Sequence, residues 1–293
     1  MSGDREPTRE PRRPVASWRL MTGAAVSIAA ALLLGFVAVL LPLGALKHHR
    51  DQAVEYDDFR LSLAQGTAPV GQRDIDGKLL ALGTPVALIA IPRLGLSEVV
   101  GEGTTAQVLR SGPGHRRDTV LPGQAGTSVV MGRRAAFGGP FGRLLDLRKG
   151  DPITVTTGQG RFRYQVVGFR HGGDPGPAAL PAGAGRLTLV TADGNPLAPH
   201  GALRVDALLE DAAAPAPARA GGIPDVERVL ATDPGAWVSV LLWGELLLGL
   251  ALLATWSLYR WGHWQTWLVA IPAVLAVGIA TATAASALLP NLI

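Results

Sequence analysis

Cysteine is missing from this 293-residue sequence, and its absence excludes disulfides, thiolate metal sites and a cysteine nucleophile. Missing too is a basic stripe. The net charge is +4 and the isoelectric point is near 9.9, yet the arginines are scattered or lie beside apolar runs. No nucleic-acid readout motif appears, so nucleic acid is not an expected partner. His115, His171 and His200 match no metal-ligand spacing and read as polar or turn residues; neither a metal nor a cofactor is expected. What the chain has in excess is apolar content. Hydrophobic residues make up 48% and mean hydropathy is positive, so part of the chain belongs in lipid.

Residues 1–19, rich in Arg and Pro, read as a disordered cytoplasmic tail. Residues 20–43 then run without a charge, long enough to cross a ~30 Å hydrocarbon core at ~1.5 Å per residue. A signal peptide is the competing reading, but its apolar region is usually about 7 to 15 residues and no clear A-x-A cleavage site follows. An uncleaved transmembrane helix is therefore expected. Residues 44–84 read as a membrane-proximal helix, amphipathic over Asp51 to Gln65, and a polar linker from Gly66 to Thr84.

Two further apolar spans, residues 237–258 and 266–289, flank a short polar link from Tyr259 to Trp264 and form a helical hairpin. Residues 211–236, opening on an Ala- and Pro-rich stretch, read as an extended linker to it. The positive-inside rule puts the N-terminus and Arg260 in the cytoplasm and the middle of the chain outside, with the Lys47 to Arg50 cluster a mild contrary signal. The expected localisation is a multi-pass cell-membrane protein with an extracytoplasmic middle domain. Trp18, Trp237, Tyr259, Trp261, Trp264 and Trp267 fall near span ends, where amphipathic rings favour the interface. Glu245 falls about 12 Å inside the second span. An ionisable group there needs a partner; Thr281, at the same depth, is the expected one, and another membrane protein is the alternative.

Residues 85–210 change character. Short apolar runs, Val86 to Ile91, Ser128 to Met131, Ile153 to Thr157, Phe162 to Phe169, Leu187 to Thr191 and Ala202 to Leu209, are punctuated by Gly and Pro and suggest a β-barrel or sandwich. Asp193-Gly194-Asn195-Pro196 reads as a tight turn.

The ordered motifs Ile91-Pro92-Arg93-Leu94-Gly95-Leu96, Gly112-Pro113-Gly114-His115, Leu121-Pro122-Gly123-Gln124, Pro140-Phe141, Lys149-Gly150-Asp151 and Leu187-Thr188-Leu189-Val190-Thr191 resemble those of sortases. These are Gram-positive enzymes that attach surface proteins to cell wall or pili. The resemblance implies a mainly β fold, a sortase-like barrel over residues 85–210 flanked by one N-terminal and two C-terminal transmembrane helices. In active sortases a Cys closes the strand motif T-L-x-T-C and attacks a sorting-signal peptide; here that position is Ala192. The family's His lies in a G-H-R sequence, which here reads Gly132-Arg133-Arg134, so Arg133 takes its place. The family's Arg aligns with Ala202 without gaps, or with Arg204 after a shift of about 6.6 Å along the strand.

A methyl group cannot attack a carbonyl, and a guanidinium is a poor proton carrier. The resemblance therefore implies a catalytically inactive member with no functional catalytic residue. Such a member would act as a peptide-binding or surface-assembly module, with a sorting-signal-like peptide or surface-protein assembly machinery as partner. Thr191 and Asp193 are candidates for lining a peptide groove beside Ala192. The alternatives are a transpeptidase or hydrolase with a non-cysteine mechanism, using Arg133, Arg204 and a hydroxyl such as Ser128 or Thr191, and a purely structural membrane protein. An open apolar pocket beside Ala192 favours peptide binding; a filled one favours structure.

Overall fold

In the computed structural model, residues 26, 30 and 32–293 are described, apart from 75, 197, 218–220 and 262. The expected cytoplasmic tail, the start of the first span, Trp18 and Gly262 in the hairpin link lie outside the described residues.

The strand at Gly160–Arg170 shows how the core is made. Phe162, Tyr164 and Val166 alternate with Arg161, Arg163 and Gln165, and only the first set is buried, because successive side chains on a strand point to opposite faces. This strand is one of eight: β1 Pro85–Ile91, β2 Leu96–Glu102, β3 Gly114–His115, β4 Gly126–Met131, β5 Pro152–Thr157, β6 Gly160–Arg170, β7 Gly185–Asn195 and β8 Ala198–Leu209. They close into a barrel in the order β1-β2-β3-β4-β7-β8-β6-β5. Ile89, Ile91, Val130, Ile153, Phe162, Tyr164, Leu189 and Leu203 fill its interior. At roughly 1.5–3 kcal/mol per fully buried large apolar side chain, this cluster is the main source of the domain's stability.

Two strands have no separate apolar run in the sequence. β2 carries Ser97, Glu98 and Gly101, and β3 is two residues long; both exist through their ladder partners. The turn expected at Asp193 to Pro196 is displaced. Asp193, Gly194 and Asn195 continue the β7 ladder opposite Gly201, Pro199 and Ala198, with an irregularity at Gly194, whose φ of 81° suits a residue without a Cβ.

Among the described residues, three helices are long and apolar enough to cross a membrane. The first is a single helix, α1, Leu32–Gln65, π-helical over Val39–Leu43 around Pro42; the expected span and membrane-proximal helix are thus continuous. It ends at Gly66, whose φ of 68° lets its N–H cap the Leu63 carbonyl. The others are α3 Ala236–Trp261 and α4 His263–Ala285, separated from α1 by the barrel and by the short helix α2 Val108–Ser111.

Polar side chains seat α1 on the barrel. Gln52 accepts from Val99 N at 2.7 Å and donates to Val99 O and Ser111 O, while His48 Nε2 lies 3.0 Å from a Glu98 carboxylate oxygen. The expected linkers are also tied down. Ala214 bridges Gln124, and Thr104 donates through Oγ1 to Glu227 O at 2.6 Å.

Glu245 does not meet Thr281. Its side chain lies on an exposed face of α3, and Thr281 Oγ1 donates instead to Val277 O in its own helix at 2.8 Å. A hydroxyl one turn from a carbonyl can bond locally without any second helix.

Tyr164 is 1% exposed, and burial pushes its phenol well above the usual range. Its oxygen accepts the Gly123 N–H at 2.5 Å. Tyr164→Phe should therefore leave that amide dry and unpaired and cost about 1–3 kcal/mol, read as an earlier thermal unfolding transition of the full chain in detergent.

Candidate functional site

β4 and β7 run parallel with Met131 opposite Val190, so their C-terminal ends emerge side by side. Gly132 N donates to Val190 O at 3.0 Å, which keeps the chains together one residue further and carries Arg133 and Arg134 to the level of Ala192. A Cβ at Gly132 would fall 2.6 Å from the Phe141 ring, so only glycine lets the chain pass here. On the other side, β8 pairs Ala202 directly with Ala192 and Arg204 with Val190. Paired residues in an antiparallel ladder share a face; Val190, Ala192, Ala202 and Arg204 therefore all point outward from the barrel.

Thr191 points the other way. Its hydroxyl donates to Gly132 O at 2.9 Å, and it is buried with the inward set of Leu189 and Leu203. It does not line the groove, contrary to expectation. Ser128 shares the inward face of Val130 by the same alternation, is 1% exposed and has no hydrogen-bond partner for its Oγ among the described residues. Asp193 sits at the rim, with its carboxylate 2.6 Å from His171 Nδ1. This bond raises the His171 pKa and lowers that of Asp193. Arg204 is half-buried, and its Nη1 donates at 3.4 Å to Ala202 O.

Arg133 is wholly buried. Its Nε donates to Leu109 O at 3.0 Å, Nη2 to Ala106 O at 3.1 Å and Nη1 to Ile293 O at 3.1 Å. The guanidinium also lies 5.0 Å from the centroid of the Phe137 ring, which Arg110 approaches at 5.7 Å. Burial, and secondarily the charge of Arg110, push the Arg133 pKa down to about 9, so it remains a cation at neutral pH. No Asp or Glu side chain pairs with it among the described residues. Phe137 has a φ of 52°, an uncommon backbone state for an aromatic residue. It is held by its N–H bond to Leu40 O of α1; Gly44 of α1 makes room, since a Cβ there would come within 3.0 Å of the Phe137 ring.

The space beside Ala192 is filled, by the chain itself. Leu292 packs in one apolar cluster with Leu109, Val129, Met131, Val190, Ala192 and Ala202. Arg134 N donates to Leu292 O at 2.9 Å, and Arg134 Nη1 to Ala192 O at 2.9 Å. Asn291, fully buried, donates through Nδ2 to Thr104 O and Arg228 O, and its N–H reaches Ala231 O. An open cavity of about 580 Å³ lies elsewhere, between α2 and the barrel-proximal end of the α3–α4 hairpin, bordered by Arg110, Asp233, Trp243 and Thr283. His115 is also structural, fully buried with Nδ1 2.8 Å from a Glu102 carboxylate oxygen and Nε2 2.9 Å from Val120 O. Among the described residues no cluster of His, Asp and Glu is placed to hold a metal ion.

Arg134, Phe137 and residues 291–293 escaped sequence reasoning. The one available signal was Asn291, a polar residue just past Pro290 at the end of an apolar span.

Residues 89–198 match the family model of the sortase domain. Sortase D of Bacillus subtilis is 32% identical over 85 residues, which cover 29% of this chain and 41% of that protein; the match spans about two fifths of that relative's length. Among solved structures, sortase E from Streptomyces avermitilis is 30% identical, covering 51% of this chain and 100% of that one, with a TM-score of 0.37. A sortase D5 transpeptidase of Clostridium perfringens is 22% identical, covering 55% and 99%, with a TM-score of 0.46.

Arg133→Met keeps the length of the side chain but removes every donor. Each of the three carbonyls that then stays dry should cost about 1–3 kcal/mol. The expected result is a lower unfolding temperature together with faster proteolysis of residues 286–293, read by mass spectrometry.

Proposed function

The chain belongs to the sortase family, and we propose that it is a catalytically silent member that acts at the membrane as a binding or assembly module. The observation that carries this reading is the outward face at the ends of β4 and β7. It presents Ala192, Ala202 and Val190, none of which bears a nucleophile. Arg133, at the family's His position, has Nε, Nη1 and Nη2 all engaged by backbone carbonyls, which leaves it no role as a proton carrier. Arg204, the stand-in for the family's Arg, lies beside Val190 rather than Ala192.

Losing one member of a nucleophile and base unit costs on the order of 10⁶ in turnover, nearly as much as losing the whole unit. Binding and orientation alone leave roughly 10³ to 10⁴ over water. A hydroxyl mechanism finds little support, because Thr191 and Ser128 both face the barrel interior. A filled groove favours a structural over a freely peptide-binding role. Glu245 supports assembly within the membrane, since a carboxyl group on an exposed face of an apolar helix favours a polar partner in a neighbouring protein.

The intact chain should neither cleave nor transfer any of a set of candidate sorting peptides, and mass spectrometry should find no acyl adduct. Turnover that disappears in Ser128→Ala or Thr191→Val would instead establish a hydroxyl mechanism.

The arginine distribution supports a barrel outside the cytoplasmic membrane with residues 1–19 inside it. Reporter fusions after Gly66, at Gly262 and after Ile293 should read outside, inside and outside; an outside reading at Gly262 would contradict the hairpin orientation.

A further inference from the structure

The cavity of about 580 Å³ between α2 and the hairpin has the size of a small-molecule site, and its place along the hairpin decides what can enter it. Ala236 opens α3 and borders the cavity, as does Trp243, ~10 Å further along the helix at ~1.5 Å per residue. On the other helix Ala280 and Ala284 border the same space, short of the end of the apolar segment at Leu288. The cavity therefore begins where the apolar helices meet the barrel and continues beside them. Its far end is lined by small apolar side chains and one aromatic ring. Trp243 is 40% exposed and Trp237 58%, and such amphipathic rings favour the level of lipid headgroups.

The charged groups stand at the near end. Arg110 Nη2 donates to Thr283 O at 2.9 Å, and Asp233 N donates to Ala287 O at 3.0 Å, which fixes both residues at the level of the last turns of the hairpin. Arg110 Nε is buried and has no hydrogen-bond partner among the described residues. Burial lowers the Arg110 pKa, and the charge of Asp233 opposes that shift. The two form no ion pair with each other among the described residues. Asp233 Oδ1 accepts the Gly235 N–H at 2.9 Å, so its carboxylate is held in place at the cavity border. One cation with a spare donor, one carboxylate and an apolar extension along a lipid-facing hairpin describe an amphiphile that carries both charges.

We propose that the cavity binds one zwitterionic phospholipid from the leaflet on the barrel's side, with its phosphate on Arg110, its primary ammonium on Asp233 and the start of an acyl chain along Trp243 and Ala280. A guanidinium matches phosphate oxygens in geometry as well as in charge. An anionic headgroup without an amine would leave Asp233 unanswered, and a quaternary ammonium has no N–H to give it. The bound lipid bridges α2 and the hairpin, and so joins the barrel to the membrane segment. The inference requires α3 and α4 to lie in lipid and does not depend on catalytic silence.

The test uses the full chain, purified in detergent and stripped of lipid. Phosphatidylethanolamine, phosphatidylcholine and phosphatidylglycerol with the same acyl chains are added separately, and bound lipid is counted by native mass spectrometry. One phosphatidylethanolamine should be retained, about tenfold or more tighter than either of the others, the difference that one charge-assisted hydrogen bond makes. Arg110→Met should weaken its retention by about tenfold or more. Asp233→Asn, which keeps an oxygen for the Gly235 N–H, should remove the preference over phosphatidylglycerol. Ala280→Phe, which fills the apolar end without touching a charge, should weaken all three lipids while the lipid-free unfolding temperature stays near that of the parent chain, and so separates loss of the site from loss of the fold. Equal retention of the three lipids by the parent chain, or an unchanged preference in Asp233→Asn, would overturn the headgroup assignment. Undiminished retention in both Arg110→Met and Ala280→Phe would overturn the site. Soluble phosphoethanolamine that binds as tightly as the lipid would overturn a lipid as the occupant in favour of a free phosphate compound.

Discussion

The structure turns on one buried guanidinium. Arg133 lies where two parallel strands end together, and it must find oxygen acceptors from whatever packs above it, because an unsatisfied buried cation is not tolerated. It draws on two separate parts of the chain: the segment at α2, through Ala106 and Leu109, and Ile293 after the hairpin. Phe137 closes the arrangement with its ring face, and in doing so bonds through its backbone to α1. Arg133 thus ties together the barrel and segments flanking the apolar helices.

This explains why β7 is buried on both faces. In an isolated barrel a strand alternates between interior and solvent, as β6 does. β7 instead carries Leu187, Leu189 and Thr191 inward and Thr188, Val190 and Ala192 outward, and all six are buried. The outward cover comes from Val229, Leu230 and Leu292. A strand buried on both faces in this way lies either in the middle of a layered fold or under a resident partner. Here the partner is the chain's own distant segment.

The long apolar helices and the barrel are joined by polar groups as well as by apolar contacts such as Phe59 with Val99 and Leu88. Gln52 inserts its amide between Val99 and Ser111, and Asn291 inserts its amide between Thr104 and Arg228. Buried amides of this sort add directional specificity where apolar contact alone would allow sliding. Asn291 Oδ1 is still left without a partner among the described residues, consistent with a contact built to hold position.

Periodicity and composition were enough to point to a β-barrel or sandwich and to three apolar spans, because alternation and run length are properties of local sequence; the choice of a barrel came from the resemblance of the ordered motifs to sortases. The resemblance to sortases, not periodicity, singled out Ala192, Arg133 and Ala202 or Arg204, and the inward turn of Thr191 became plain only with its hydroxyl on Gly132 O. The short strands β2 and β3 were not legible, since they exist only through pairing across the barrel. Nor was the fate of Glu245 or the seat of Leu292, because a span's rotation and a segment's docking partner depend on contacts between residues more than 100 positions apart, such as Arg133 and Ile293. Sequence by itself determined which chemical groups are present and which are missing; only the tertiary structure decided that the place of the missing groups is occupied, because filling a buried surface is a collective outcome of packing and polar satisfaction that no local pattern encodes.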